Sequence, residues 1–571
     1  MERLEAKKIN GKTYYYYSIW GWKDGKCRRL KQTYLGSLQN IAKTMEDGGP
    51  SPKYAEVFQW GLPSALWAEC SRAKVIPEID RLCPKRNQGM TTGQYLAIAA
   101  LNRTMQSCSK RSMWEWFSQT AFVRHFPDAS RSALSSQRFW DHMDRVDEST
   151  AMECWKRILK GTIAREGIDL SSVSYDGTNF YTFIDTFNDR CDIAKRGENK
   201  QGRCNLRQVS YALFCCADGR TPLYYDVYDG NRNDAKQFSS VIRRFSKFMK
   251  EISGSAIPMT KMTVVFDKGN NSADNWALLD SLNLHFVGSV KLNQHKDLMQ
   301  VPNDDPSFIP FEESYLEGTS SFRATRTLGG KERTLIVTYN QSLFHAQWLT
   351  LQADIQKAID TLSTLQQRLD DRIQGIIKGG KPPTEESVKK QCAHALRRQH
   401  LSQLFDTEIT LIKNKLVKLD FSLNTEALQH LSNTYLGKTI VVTTRHDWDN
   451  ARIVHAYRSQ HVIENVFKEM KDRSLGTWWP LQHWTDSKIK VHGLYCSIAL
   501  LLRALMMQRI EAGGLKLSMK RVFAELGKIK QVINIYPRKR GQKKNTHRVV
   551  FTETSPLQEK ILSSLGMDMK K

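Results

Sequence analysis

The sequence predicts an α/β protein built on a mixed β-sheet, and three observations predict it. Strand-like runs come in succession at Leu170–Tyr175, Gln208–Cys216 and Leu223–Tyr228. A helix with Phe238, Val241, Ile242 and Phe245 on one side then leads to Met262–Phe266. That near-continuous apolar run is the pattern of a strand buried on both faces. A helix over Asn275–Leu282 and a strand over His285–Val290 complete the series. The third observation is chemical: two of these strands finish on an aspartate followed by turn-forming residues, Asp176 before Gly177-Thr-Asn and Asp267 before Lys268-Gly-Asn. Carboxylates at the ends of central strands are where such a sheet meets its ligand.

The bulk composition sets limits on the partner. With 571 residues, 40% of them hydrophobic, the chain is expected to fold as about three to five units. It carries 85 Lys and Arg against 59 Asp and Glu, a net charge of +26. Such an excess favours a polyanion, nucleic acid before an anionic membrane, because each cation placed on a phosphate releases counterions. Insertion into a membrane is not expected, since the longest apolar stretch, Leu494–Met507, is interrupted by Arg503 and too short to span. The opening residues, MERLEAKK, show no apolar signal region, and none of the 11 cysteines forms a C-x-x-C pair. A reduced cytoplasmic compartment is expected, without a zinc site.

Taken in order, residues 1–50 read as a small β unit. Thr13–Trp20 is strongly strand-forming, and Asp24-Gly25 supplies a turn before a segment ending at Tyr34-Leu-Gly36. Aromatics interleaved with Lys7, Lys8, Lys26, Arg28, Arg29 and Lys31 leave two readings open, a nucleic-acid surface or an ordinary hairpin with a basic face. Residues 51–160 turn helical, rich in Arg and Trp, and are expected to bind DNA. Residues 165–295 hold the first part of the sheet, and 296–439 interrupt it. In that interruption a strand at Glu332–Tyr339 precedes a stripe from Trp348 through Leu351, Ile355, Leu362 and Leu369 to Ile373. Such spacing marks a long helix; Thr384 followed by two glutamates starts a second, the two forming an antiparallel helical hairpin, and strand signals return at Leu411–Phe421. Residues 440–510 return to the sheet with Lys438–Thr444 just at their start, and 511–571 form a basic C-terminal region containing the run Arg538–Arg548.

The run Asp447–Arg473 reads as one helix. Tyr457, Glu464 and Lys471 are spaced by sevens, close to two turns, so with Gln460 they would share a face, a phenol, a carboxylate and an ammonium together. A plain solvated face gives the same pattern. Asp176, Asp267 and Glu464 bring three carboxylates from separated parts of the chain. Hard divalent cations take oxygen ligands, with phosphate oxygens completing the shell of Mg²⁺. Two such ions activate a nucleophile and stabilise the leaving oxygen of a phosphodiester.

In this order, strand-Asp176, Asp267-Lys-Gly-Asn, then Tyr457-x-x-Gln460-x-x-x-Glu464-x₆-Lys471, the chain resembles the bacterial insertion-sequence DDE transposases. It is most similar to the group with a Tyr-Arg-Glu-Lys signature and an insertion before the catalytic glutamate. Asp267 and Glu464 are 197 residues apart, which such an insertion explains. Gly230-Asn231-x-x-Asp234, the segment Pro480–Asp486 with His492, and Tyr34-Leu-Gly36 are further matches.

The resemblance implies a ribonuclease-H-like mixed-sheet core interrupted by a mixed α+β insertion, with the strand unit and the helical unit ahead of it. It implies cut-and-paste transposition: nicking at the element ends, then attack of the freed 3′-hydroxyl on target DNA. Asp176, Asp267 and Glu464 would bind two Mg²⁺ ions, with Mn²⁺ able to substitute. The partners implied are double-stranded DNA, both terminal repeats and target, held by a homodimer. Tyr457, Gln460 and Lys471 would contact phosphates. Trp448, Trp478 and Trp479 are candidates for stacking a flipped base, with packing as the other reading. His483 is expected to contact DNA or make a structural hydrogen bond, as is His492. One position departs from the group: Gln460 stands where the family has Arg, and loses its charge and bidentate geometry. Arg458 lies about 200° round an ideal helix from Gln460, a poor substitute. Two other functions fit the composition, a DNA-binding protein without chemistry and a general metal-dependent nuclease.

Overall fold

Two glycine-containing turns shape the first fifty residues. Asn10-Gly11 and Asp24-Gly25 all have positive φ, the geometry of tight hairpin turns whose twist matches the strands. They join β1 (Glu2–Ile9), β2 (Lys12–Lys23) and β3 (Lys26–Gly36) into an antiparallel sheet. This and all that follows come from a computed structural model, which describes residues 1–571 except 47–50, 85–88, 198–201, 217–219, 233, 254–258, 413–415, 473–474, 538–544, 568 and 570–571. Arg473 and most of the basic run Arg538–Arg548 therefore lie outside the described residues, as does the side chain of Asp234.

Helices fill the next stretch. Among them α1 (Thr92–Met105) begins at a reciprocal cap in which Thr91 and Gln94 satisfy each other's backbone N–H groups. The chain's last strands come back to this unit: Lys530–Tyr536 pairs with both Tyr54–Gln59 and Thr546–Phe551. Residues from the two predicted end regions, 51–160 and 511–571, thus share one small sheet, a pairing too distant in sequence to be read from local pattern.

The central sheet uses β4 (Ser172–Tyr181), β5 (Arg207–Cys216), β6 (Pro222–Asp229), β7 (Thr263–Val265), β8 (His285–Ser289), β9 (Thr319–Leu328), β10 (Lys331–Asn340) and β11 (Lys438–Thr443). Its order is β9-β10-β11-β8-β7-β4-β5, with β6 also on β5 and two-residue strands at either edge. β4, β7 and β8 run parallel, and the rest are antiparallel to their neighbours. The order of three strands, helix, strand, helix and strand is the one predicted. Gly230 explains itself here: a Cβ on it would meet the carbonyl oxygen of Gln208 at 1.8 Å.

Three differences from the sequence reading have physical causes. β4 does not end at Asp176 but runs on to Tyr181, because pairing with β5 holds Gly177-Thr-Asn extended despite their turn character. The sheet does not stop at residue 295: β9 and β10 extend it through β11, and the separate insertion core begins with the helix Gln341–Ile373. That core gathers Leu351, Ile355, Leu362, Leu365 and Leu369 with Val388, Leu404, Leu419 and Leu431. The stripe is therefore core. Finally, the strand signals over Leu411–Phe421 fall on the two arms of a hairpin, Phe405–Ile412 and Leu416–Leu423.

After β11 come α2 (Asn450–Arg458), α3 (Gln460–Lys471) and α4 (Asp486–Ala512). By length and composition α4 would suffice to cross a membrane, but 94% of its apolar window is buried inside the fold, where it packs against α1 and β6.

Candidate active site

Two strands set the site's base. In the parallel ladder of β4 and β7, Ser172, Val173 and Ser174 stand opposite Thr263, Val264 and Val265. Asp176 and Asp267 each lie two residues further on, so both emerge toward one face from adjacent strands. Neighbouring strands are about 4.8 Å apart, which places the two carboxylates side by side. Asp176 Oδ1 accepts the Gly177 N–H at 2.8 Å, and Asp267 Oδ1 accepts the Lys268 N–H at 2.7 Å, which fixes both rotamers.

The predicted single helix is broken. Asp449 caps α2 by accepting from Arg452 N–H at 2.7 Å. At Ser459 the helix ends; its N–H donates to the His455 carbonyl, and its hydroxyl to the Ala456 carbonyl at 2.6 Å. His461 Nδ1 donates to the Arg458 carbonyl at 2.7 Å. The two helices bury themselves in different clusters. Ile453 and Val454 of α2 pack with Val265, Val287, Ile336 and Val441, whereas Ile463, Val466, Phe467 and Met470 of α3 join the main core. Tyr457 therefore sits on α2, and Gln460, Glu464 and Lys471 on α3, so the face inferred from spacing by sevens holds only from Glu464 to Lys471.

Tertiary packing nevertheless brings Tyr457 to the acids. Burial pushes its phenol above the usual range; a hydrogen bond with Ser289, the last residue of β8, opposes this, and the charges of Asp267 and Glu464 reinforce it. On the other side of the site Lys471 Nζ donates to Thr178 Oγ1 at 2.5 Å and stands 5.4 Å from the Phe180 ring. Asp176, Thr178 and Phe180 alternate along one face of β4, so Lys471 is next in line from Asp176. The three carboxylates do not form a closed cage: among the described residues no three His, Cys, Asp or Glu side chains stand close enough to hold a metal ion. Asp176 and Asp267 leave adjacent strands, and the Tyr457 phenol feels the charges of both Asp267 and Glu464.

Several residues expected at the DNA surface are core. Trp478 is 0% exposed, stacked on Phe180 at 4.8 Å. Trp448 is buried under the Arg452 guanidinium at 4.1 Å. His483 is 3% exposed and hydrogen-bonded to Tyr495 Oη at 2.9 Å. His492 Nε2 donates to the Trp478 carbonyl at 3.0 Å, which leaves its Nδ1 to accept from Tyr495 Oη at 2.6 Å and His483 Nε2 to donate to that same oxygen. Burial holds both imidazoles far below their usual range, so both are neutral. Arg458 is tied to Thr319 Oγ1 at 2.9 Å, and Gln460 is half-buried at the start of α3.

Trp479 alone of the three tryptophans reaches the surface, edge-on to Tyr181 and Phe183. The sequence reading missed Thr178, Ser289 and two exposed rings beyond β4, Phe183 (69%) and Phe187 (93%). The alternation 176, 178, 180 was the available signal for the first; nothing local marks the others.

Residues 173–502 match the family model described as a transposase DDE domain. Among solved structures, a piggyBac transposase synaptic complex with hairpin DNA is similar over 81% of this chain and 79% of that chain, at 10% identity and a TM-score of 0.38. A pre-cleavage Mos1 transpososome and a Mos1 paired-end complex with the left transposon end are similar over 35% of this chain and 60% of theirs, at 11% and 10% identity and a TM-score of 0.15. No curated protein matches.

Proposed function

The chain belongs to the DDE transposase domain family, and from that premise we propose that it cuts the ends of a mobile element and joins the freed 3′-hydroxyls to target DNA. One observation carries the residue assignment: Asp176 and Asp267 leave adjacent parallel strands at matched register, and Tyr457 lies in the field of both Asp267 and Glu464. The donor set suits Mg²⁺, being all carboxylate oxygen, and Mg²⁺ is commonly held by one or two carboxylates with substrate phosphates and water. Asp176 and Asp267 would hold it first, and Glu464 would join them with the bound phosphate. When bound, two such ions supply a deprotonated nucleophile and charge stabilisation for the departing oxygen.

The chain's own groups do the rest. Lys471, steadied by Thr178, offers an ammonium to a phosphate oxygen on the Asp176 side. Tyr457, held by Ser289, presents its neutral hydroxyl as a donor between Asp267 and Glu464. Gln460 donates to a phosphate without adding charge, which makes it a weaker clamp than arginine. Trp479, with Tyr181 and Phe183, offers a surface for an unstacked base. An insertion-sequence transposase of the Tyr-Arg-Glu-Lys group, working as a dimer on paired ends in a bacterial cytoplasm, accounts for these features together.

The test is strand cleavage of duplex DNA from the regions flanking the protein's own gene, with Mg²⁺, with EDTA, and with Glu464→Gln. Metal-dependent cuts at a defined position on both flanks, absent from the variant, are expected. End-specific binding without cleavage under Mg²⁺ or Mn²⁺ would sink the enzymatic reading and leave a binding protein on this fold. Cuts with no preference for the flanks would mean a general nuclease.

A further inference from the structure

The N-terminal sheet contributes no residue to the hydrophobic cores of the rest of the molecule. Strand register sorts its side chains onto two faces. Lys7 opposes Tyr14, Glu5 opposes Tyr16, Tyr16 opposes Tyr34, Ser18 opposes Gln32 and Trp20 opposes Arg29, so all of these share one face. The opposite face carries Tyr15, paired with Gly36, and a Cβ at Gly36 would meet Asn40 of the helix Leu38–Glu46 at 3.4 Å. That helix has no buried residue, and Tyr34 on the first face stays open.

The first face has three properties that belong together. Its rings are organised: Tyr34 lies 5.9 Å from Tyr14 and 5.2 Å from Tyr16, yet is 56% exposed. Cations flank them, Lys7 at 5.0 Å from the Tyr16 ring and Arg29 at 5.8 Å from the Trp20 ring. Glu5 on this face is already satisfied, accepting from Trp20 Nε1 and Gln32 Nε2 at 3.0 Å each beside Arg29. Residues 1–36 hold nine Lys and Arg against three Asp and Glu. A basic sheet with open aromatic rings suits unpaired bases stacked on the rings and phosphates on the cations. The bases of an intact duplex have no free faces to offer, so a duplex would meet only the cations.

We propose that this face of the N-terminal sheet binds a single-stranded stretch of nucleic acid, with Tyr34 as the open stacking ring and Lys7 as a phosphate contact. That the strand is DNA rests on the transposase reading; the stacking geometry does not. The experiment uses the full chain and the fluorescence anisotropy of a labelled oligothymidylate and of a blunt duplex, across a salt series. Tyr34→Ala is expected to weaken the single strand by about fivefold to a hundredfold, the range for stacking one base on a ring. Tyr34→Phe keeps the ring and retains binding, which separates stacking from misfolding of the sheet. Lys7→Glu lowers the salt slope by about 0.7, one phosphate on a single strand. The proposal is overturned if Tyr34→Ala binds the single strand like the parent protein, or weakens single strand and duplex equally. A chain that never cleaves but shows Tyr34-dependent binding supports this proposal while removing the catalytic one.

Discussion

The rim of the central sheet and the buried junction behind it draw on the same stretch of chain, and the structure uses them oppositely. At the rim, Asp176 is half-buried, Asp267 and Glu464 are exposed, and Lys471 reaches across to Thr178. At the junction, Trp478 fills the core, His483 and His492 are linked through Tyr495, and Arg103 of α1 donates to the Trp478 carbonyl at 3.2 Å. Ser107 donates to the Gly476 carbonyl at 2.6 Å, and Arg503 of α4 caps the carbonyls of Thr104 and Leu475. This junction fastens the helical unit to the chain leaving α3. The lesson is that an aromatic or a histidine close in sequence to a catalytic signature is as well suited to hold the signature in place as to touch substrate. Burial decides which.

The sharpest way to break the comparison is to change the rim. Asp176→Asn, Asp267→Asn and Glu464→Gln should each lower metal-dependent cleavage by about a thousandfold or more, the scale of losing several kcal/mol of charge stabilisation. Urea unfolding should register less than about 0.5 kcal/mol for the exposed Asp267 and Glu464. A large loss of stability at either would place it with the junction. The converse holds for Trp478→Ala, which should cost about 3–5 kcal/mol by urea unfolding. If stability holds and DNA binding falls instead, Trp478 belongs to the rim.

The histidines give a pH test of the same division. Their folded-state pKa values are depressed, so the unfolded chain takes up protons near its usual histidine range while the folded chain does not. Their contribution is complete above about pH 6.5 and is lost as the pH falls through and below it, by up to about 1.4 kcal/mol per pH unit for each histidine. His483→Gln should flatten the decline of unfolding free energy between neutral and mildly acid pH; an unchanged slope would show an imidazole open to solvent. The smallest effect is expected at Gln460→Arg. Adding a charged donor at the rim should tighten binding of the cleaved flank by about threefold to tenfold, roughly 1 kcal/mol, measured by anisotropy. No gain there would mean that the start of α3 does not face phosphate.

Much of this was legible from residues alone. β-branched and aromatic runs gave β5, β6 and β8 to within a residue or two, and the apolar stripe from Leu351 to Leu369 marked the insertion's long helix. Asp267 stood out because the apolar run before it and the turn after it are local features, whereas Asp176 lies within β4. What was not legible depends on partners distant in sequence. Only pairing with β5 shows that β4 continues past Asp176, and only β10 and β11 show that the sheet extends beyond β8.

By itself, then, the sequence determined the strand–helix succession, the acidic positions and the basic charge, since propensity, period and composition act over a few residues. Tertiary structure alone decided three things. It broke the run from Tyr457 to Lys471 at Ser459, with α2 and α3 burying their apolar sides in different clusters. It brought the Tyr457 phenol to Asp267 and Glu464 across that break. And it sent Trp478 and His483 inward while leaving Tyr34 open, because burial is set by what packs against a side chain and not by the side chain's type.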